Sequence, residues 1–151
     1  MPEVRFYHLT RATLEATLPV MLERVLERGQ KAVVQLGSEE RAEALSAYLW
    51  SYDDSAFLPH GTSKDGNADQ QPIWLSAQDE PPPNGAEVLF SADGAETQRV
   101  QDYQLCAFLF DGKDEAALAK ARERWRTFKA EGFDVTYWRQ DDSGRWSKVE
   151  S

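Results

Sequence analysis

Hydrophobic positions along the first third of the chain switch between the period of a strand and that of a helix. Residues 3–9 alternate apolar and polar side chains, which predicts a strand. Leucine, methionine and valine then recur at three- and four-residue spacings up to Arg28, which predicts a helix closed by Gly29. Pro19 fits such a helix only near its start, because proline cannot donate a backbone hydrogen bond. Residues 32–36 form a short apolar run typical of a strand buried on both faces.

The rest of the chain continues this alternation. Ser38, followed by two glutamates, predicts a helix start, whereas glycine, asparagine and aspartate make residues 51–71 a predicted long loop. Strands are predicted at residues 73–76, 87–90, 105–110 and 135–139, a strong helix at 114–131, and a turn at 142–144. This order predicts one α/β domain over residues 1–151, with a mostly parallel central sheet flanked by helices.

Composition narrows the class of protein. The chain has 151 residues and a net charge of −9, so it is repelled by DNA phosphates unless its positive charge is segregated. The sequence has neither an apolar run of about 20 residues nor a signal-peptide pattern. Cys106 is the single cysteine and lies in an apolar strand pattern, which predicts a buried, inert thiol. These features together predict a cytoplasmic protein.

The usual signatures of cofactor binding are missing from the sequence. No glycine follows the first predicted strand and only Gly37 follows the second, so neither phosphate-binding glycine motif is present. His8 and His60 have no second histidine or cysteine at metal-ligand spacing, which favours hydrogen-bonded structural histidines. We therefore expect no nucleotide, metal or other cofactor, and no catalytic residue.

The helix predicted at residues 114–131 carries a local excess of positive charge. Its second half has a charge of +3 within a chain of net −9. Leu118, Ala121, Trp125 and Phe128 follow a 3-4-3 spacing that builds one apolar stripe. The five cations are Lys120, Arg122, Arg124, Arg126 and Lys129. Arg122 and Lys129 fall beside the Trp125 edge of the stripe and Arg126 slightly further round, which indicates a ligand that is both acidic and apolar. The simpler interpretation is a core tryptophan with cations that favour the helix dipole.

Large aromatic residues and carboxylates lie around the predicted loop. Trp50, Phe57 and Trp74 are of the type that often marks a partner surface. One alternative is an enzyme whose active site lies in the 53–69 loop, with Asp53, Asp65 and His60 as candidates. Another is a direct binder of single-stranded nucleic acid that uses the basic helix and stacks bases on Trp50 or Trp74.

Several segments together carry a resemblance to a known family. Leu49-Trp50 followed by Phe-Leu-Pro-His at residues 57–60, and Ala-Arg-Glu-Arg-Trp at residues 121–125, resemble the pattern of the chi subunit of DNA polymerase III. Gly132-Phe133 and the aromatic strand beyond them fit as well. The resemblance covers nearly the whole chain in order. It implies a Rossmann-like fold that binds no nucleotide, and a non-catalytic subunit linked to the clamp loader.

The resemblance also implies partners and a site. Family members bind the acidic C-terminal tail of single-stranded DNA-binding protein, whose last residue is phenylalanine, and a clamp-loader protein called psi. The matching tail site is Arg122, Trp125 and Arg126. Leu118 stands where some members have a lysine, so Lys120 or Lys129 would supply that contact. The surface implied for psi, or for a helicase partner, comprises Trp50, Phe57, Pro59 and His60.

Overall fold

Eight strands of the computed structural model form a single sheet. The structure describes residues 3–10, 13–51, 60–62, 66–92, 97, 99–140 and 145–149, except the side chains of residues 50 and 51. The strands are β1 (Glu3–Leu9), β2 (Ala32–Gln35), β3 (His60–Gly61), β4 (Ile73–Ser76), β5 (Val88–Ser91), β6 (Leu105–Asp111), β7 (Asp134–Gln140) and β8 (Trp146–Lys148). Their order is β3-β4-β2-β5-β6-β1-β7-β8, and among these described strands only the β7–β8 pair is antiparallel. The prediction of a mostly parallel α/β sheet is therefore confirmed.

The described residues form three α-helices that flank this sheet: α1 (Leu14–Glu27), α2 (Glu39–Ser51) and α3 (Glu115–Ala130). α1 and α2 contribute Leu18, Leu22 and Leu45 to one hydrophobic core. α3 contributes Ala121 to a second core that also holds Phe6 of β1. Because successive strand residues point to opposite faces, the two cores lie on the two sides of the sheet. β1 and β2 are parallel but not adjacent, since β5 and β6 lie between them.

The core under α3 is rich in aromatic side chains. The rings of Phe6 and Phe108 stack with centroids 5.2 Å apart, and Phe128 of α3 lies 5.6 Å from Phe108. Phe128 also meets Phe133 edge to face at 5.6 Å. These contacts fix α3 against β1 and β6, since aromatic pairs at such distances add packing energy beyond their buried area. The rotation of α3 that they set decides which of its side chains remain outside the core.

The helix ends follow the signals in the sequence. Thr13 caps α1 by accepting a hydrogen bond from the Ala16 N–H, and Gly29 follows the helix at a φ of +74°. Ser38 likewise accepts from the Arg41 N–H at 3.2 Å. Pro19 lies within α1 rather than at its start, so the helix gives up one backbone hydrogen bond there.

The predicted loop at residues 51–71 needs correction. It contains the two-residue strand β3 and a 3-10 turn at Ala68–Gln70. A strand of two residues is too short to produce a periodic pattern, so the sequence could not reveal it. The turn predicted at residues 142–144 lies outside the described residues. In the part of the chain that the structure describes, no helix has the length and hydrophobicity needed to cross a bilayer.

Candidate functional site

One face of α3 presents the cations that the sequence singled out. Arg122, Trp125, Arg126 and Lys129 lie at positions i, i+3, i+4 and i+7, which fall on one side of a helix. The helix begins at the Asp114 cap, whose carboxylate accepts hydrogen bonds from the Ala116 and Ala117 N–H groups. The local sequence thus folds as a capped helix, and the packing of its half-buried aromatic face on the core turns this row of side chains toward β7.

The opposite wall comes from the strands. His8 of β1 and Arg139 of β7 are direct partners in the parallel register, and Tyr137 pairs with Phe6 two residues earlier. These side chains therefore share the face of the sheet that α3 covers. The Tyr137 hydroxyl lies 2.7 Å from His8 Nδ1, which joins the two strands by a side-chain hydrogen bond. The backbone of Val149 donates to the Tyr137 carbonyl at 2.8 Å and brings its side chain to the same place.

Helix and strands enclose a groove of about 360 Å³. It is lined by His8, Arg122, Trp125, Arg126, Tyr137, Arg139 and Val149. Among the described residues, the lining holds three arginines and no carboxylate. Within the described structure, none of these arginines forms an ion pair. In a protein of net charge −9, the groove is a segregated positive site with an aromatic wall, suited to a carboxylate ligand.

Trp125 forms the apolar wall of the groove. It packs against the aromatic core, and the Lys129 ammonium lies 4.5 Å from its ring centroid, within cation–π range. Its indole N–H is buried and has no acceptor among the described residues. The exposed part of the indole is therefore carbon, which offers van der Waals contact rather than a hydrogen bond.

The charges around the groove affect His8 and Tyr137, two polar side chains of the strand wall, which together form the polar floor of the groove. Burial lowers the pKa of His8, the positive charges of Arg139 and Arg122 lower it further, and Asp111 opposes them. Burial raises the pKa of Tyr137, while the same two arginines act to lower it. At neutral pH His8 is therefore uncharged and Tyr137 carries its proton, so the positive charge of the groove comes from its arginines.

The structure brings together Arg122, Trp125 and Arg126, with Lys129 on the tryptophan ring. It places Lys120 elsewhere. Lys120 lines a separate cavity of about 930 Å³ together with Arg124, near the carboxyl ends of β1, β2, β5 and β6. Lys120 and Lys129 lie nine residues apart on α3, so they project toward different neighbours.

The surface implied for psi or a helicase is only partly described. Phe57, Pro59 and the side chain of Trp50 lie outside the described residues. His60 is buried at 3% exposure, and its Nε2 lies 3.2 Å from the Ser46 carbonyl of α2. His60 therefore connects β3 to α2 through this hydrogen bond.

The alternative functions find little support in the described structure. Asp53 and Asp65 lie outside it, and the residues it does describe contain no cluster of three histidine, cysteine or acidic side chains able to hold a metal. Trp74 has 6% exposure and belongs to the core, so it does not offer a stacking surface, whereas the side chain of Trp50, the other residue named for stacking, lies outside the described residues. Cys106 is buried as predicted, and burial raises the pKa of its thiol to about 12.

Sequence reasoning missed the strand half of the groove. His8 was interpreted as structural, and Tyr137 and Arg139 were not singled out. One signal was available, because alternation along β1 places His8 on the same face as Phe6. His8 also lies near the carboxyl end of its strand, where α/β folds usually place their ligands. Its proximity to Arg122 depends on how α3 packs, which spacing along the chain does not reveal.

Comparison with known proteins agrees with the resemblance. Residues 1–136 match the family described as DNA polymerase III chi subunit, HolC. The chain belongs to this family. Membership assigns it to the accessory subunits of that polymerase. The match ends before Tyr137, Arg139 and Val149, so it includes α3 and His8 but not the β7 wall of the groove.

Three curated relatives bear the same name. The DNA polymerase III subunit chi of Pseudomonas aeruginosa is 25% identical over 138 residues, which cover 89% of this chain and 94% of that protein. The protein of that name from Haemophilus influenzae is 24% identical over 140 residues, covering 87% and 93%. A probable DNA polymerase III subunit chi of Rickettsia prowazekii is 24% identical over 105 residues, and the chain spans 64% of its length.

Proposed function

We propose that this chi-family chain is a non-catalytic adaptor of the DNA polymerase III holoenzyme, working in the cytoplasm. It binds the acidic C-terminal tail of single-stranded DNA-binding protein in the groove between α3 and β7. Through a clamp-loader partner, psi or its equivalent, it links that protein to the polymerase. The observation that carries the proposal is a groove whose described lining combines three arginines with an aromatic wall.

The chemistry of such a tail matches both parts of the groove. Arginine binds carboxylates through paired hydrogen bonds, and Arg122 and Arg126 stand one turn apart beside the Trp125 ring. A terminal phenylalanine ring would pack on the exposed carbon surface of Trp125, and the Lys129 ammonium lies 4.5 Å from the centroid of the same ring. An acidic, aromatic chain end therefore satisfies charge and apolar contact together.

The second partner rests on the resemblance. The segment around Trp50, Phe57 and Pro59 corresponds to the surface that family members present to psi or a helicase. We propose the same use here; His60, the member of this surface that the structure describes, is bonded through its ring to the Ser46 carbonyl of α2. Co-purification from a native lysate, followed by identification of clamp-loader subunits, tests this part independently of the groove.

A peptide titration tests the tail proposal directly. An acidic peptide ending in Pro-Phe should bind the full chain with roughly micromolar affinity, about −8 kcal/mol. Binding should weaken as the salt concentration is raised from about 50 to 300 mM, because salt screens the charges that make the contacts. A peptide with the same composition but a scrambled order and no terminal phenylalanine is the control. Equal binding of both peptides, or no binding of either, would contradict the proposal.

A further inference from the structure

The wall of the groove formed by β7 is built from residues that the family match does not include. Tyr137 and Arg139 lie beyond the residues that match the family. They nevertheless share one face of the sheet with His8, and all three line the groove opposite α3. The Tyr137 hydroxyl is held at 2.7 Å from His8 Nδ1, so the polar floor of the groove is ordered before any ligand arrives.

Two guanidinium groups from different elements act on this floor. Arg122 of α3 and Arg139 of β7 both lie close enough to influence His8 and Tyr137 electrostatically. Neither arginine forms an ion pair in the described structure. Two like charges held near one hydroxyl repel each other, and a carboxylate between them would relieve that repulsion while accepting hydrogen bonds from both.

We propose that Arg139 and the Tyr137 hydroxyl bind the terminal carboxylate of the acidic tail together with Arg122, and that His8 is the positioning residue that orients this hydroxyl. The inference rests on the proposed function, because it assigns the residues that recognise the end of the same ligand. It assigns the Trp125 wall to the terminal side chain and the β7 wall to the terminal carboxylate.

The count of hydrogen-bond donors explains why His8 orients the Tyr137 hydroxyl. A carboxylate only accepts hydrogen bonds, and a tyrosine hydroxyl has a single proton to donate. If Tyr137 donates that proton to the ligand, the proton on the 2.7 Å bond to His8 must come from Nδ1–H. The bound state therefore requires the His8 tautomer that carries its proton on Nδ1, or the doubly protonated ring.

This arrangement couples binding to pH. The charged and titratable groups that act on His8 are Arg139, Arg122 and Asp111, with Tyr137 as its hydrogen-bond partner. In the free protein the two arginines help to hold its pKa below the ordinary value of about 6.5. A bound carboxylate offsets both positive charges, so the pKa of His8 is higher in the complex. Tail binding then takes up a fraction of a proton, and affinity rises as pH falls from 8 toward about 5.5, where aspartates with a pKa of about 3.9 remain ionised.

The experiment compares two forms of one peptide on single-substitution variants of the full chain. The probes are an acidic peptide ending in Pro-Phe with a free carboxylate, and the same peptide with a C-terminal amide. Arg139→Gln and Tyr137→Phe should each weaken binding of the free acid about tenfold, and should weaken binding of the amide by a clearly smaller factor, because the amide lacks the group that they are proposed to bind. The matched control is Arg24→Gln, which removes an exposed arginine from α1 on the other side of the sheet.

The pH profile tests the positioning role. His8→Asn places an amide near the position of Nδ1 but cannot titrate. It should lose the increase in affinity that the unsubstituted protein shows between pH 8 and about 5.5, whatever its own affinity at pH 7.5. Calorimetry in two buffers of different ionisation enthalpy should detect proton uptake by the unsubstituted protein and none by His8→Asn.

The outcomes separate the two proposals. If the unsubstituted protein fails to bind the free acid, both are wrong. If it binds, and Arg139→Gln and Tyr137→Phe bind as tightly as the unsubstituted protein, the role of β7 is wrong and the proposed function stands. If the unsubstituted protein binds the acid and the amide with equal affinity, recognition of the terminal carboxylate is wrong and the proposed function again stands. Arg139 is exposed, so its variant decides the question if Tyr137→Phe does not fold.

Discussion

Replacing Gly112 by alanine should destabilise the protein although the backbone there permits alanine. Gly112 follows β6 and its φ lies outside the positive range that favours glycine. At such positions alanine normally stabilises a protein by about 0.4–1 kcal/mol, because it restricts the unfolded chain. The opposite sign is expected here because the imidazole of His8 occupies the space next to the Gly112 Cα.

The structure gives the size of the clash. A Cβ at residue 112 would lie 1.7 Å from His8 Nε2 and 2.0 Å from its Cδ2. The ring would have to retreat by about 1.5–2 Å to reach ordinary van der Waals contact. His8 is 8% exposed, its ring centroid lies 5.2 Å from that of Phe110, and its Nδ1 bonds to Tyr137 at 2.7 Å. Retreat therefore breaks that bond and forces an unfavourable rotamer, and we expect a net loss of about 1–3 kcal/mol.

Urea denaturation of four proteins measures this effect. They are the unsubstituted chain, Gly112→Ala, His8→Ala and the double variant. In the background lacking the imidazole, alanine at residue 112 should cost nothing or stabilise slightly, so the two substitutions are coupled by at least about 1 kcal/mol. The reasoning is refuted if Gly112→Ala is as stable as the unsubstituted chain, or if it costs the same in both backgrounds.

Three further outcomes are expected. Arg122→Ala should weaken binding of the acidic peptide by about 2 kcal/mol, roughly 30-fold, whereas Arg24→Ala should leave the titration unchanged; equal loss in both would indicate a non-specific charge effect. Asp114→Ala should lower the free energy of unfolding by about 1 kcal/mol in urea, because two N–H groups of α3 lose their acceptor, and Asp114→Asn should retain most of it. Iodoacetamide at pH 8 should modify Cys106 only after unfolding in guanidinium, since burial raises the pKa of the thiol to about 12; rapid modification of the folded protein would show that the strand is not closed.

Local signals in the sequence were sufficient for most of the fold. Capping residues such as Ser38 and Asp114, and glycine after the last turn at Gly132, mark helix ends through chemistry confined to a few residues. The long strands β1 and β6 have clear apolar patterns. The strand β3 could not be predicted, because two residues carry no period and their pairing with β4 depends on residues 13 positions away. Strand order is equally non-local, and nothing in the pattern shows that β5 and β6 separate β1 from β2.

The candidate site was half predictable for the same reason. Arg122, Trp125 and Arg126 share a helix, so spacing alone brings them together. His8, Tyr137 and Arg139 reach them only through the packing of α3 on the sheet. The apolar residues that set this packing carry no information about which polar strand residues they bring into reach.

The division of the groove between helix and strand also explains how an acidic protein can hold a positive site. Arg122 and Arg139 lie more than a dozen residues apart in sequence, so neither segment has to accumulate the repulsion of a long basic run. Folding brings the charges together, and the aromatic contacts of α3 against Phe6 and Phe108 provide the packing energy that holds them there. The site exists only when α3 is docked, so a substitution that loosens the aromatic core, such as Phe128→Ala, should weaken tail binding without touching any residue of the groove.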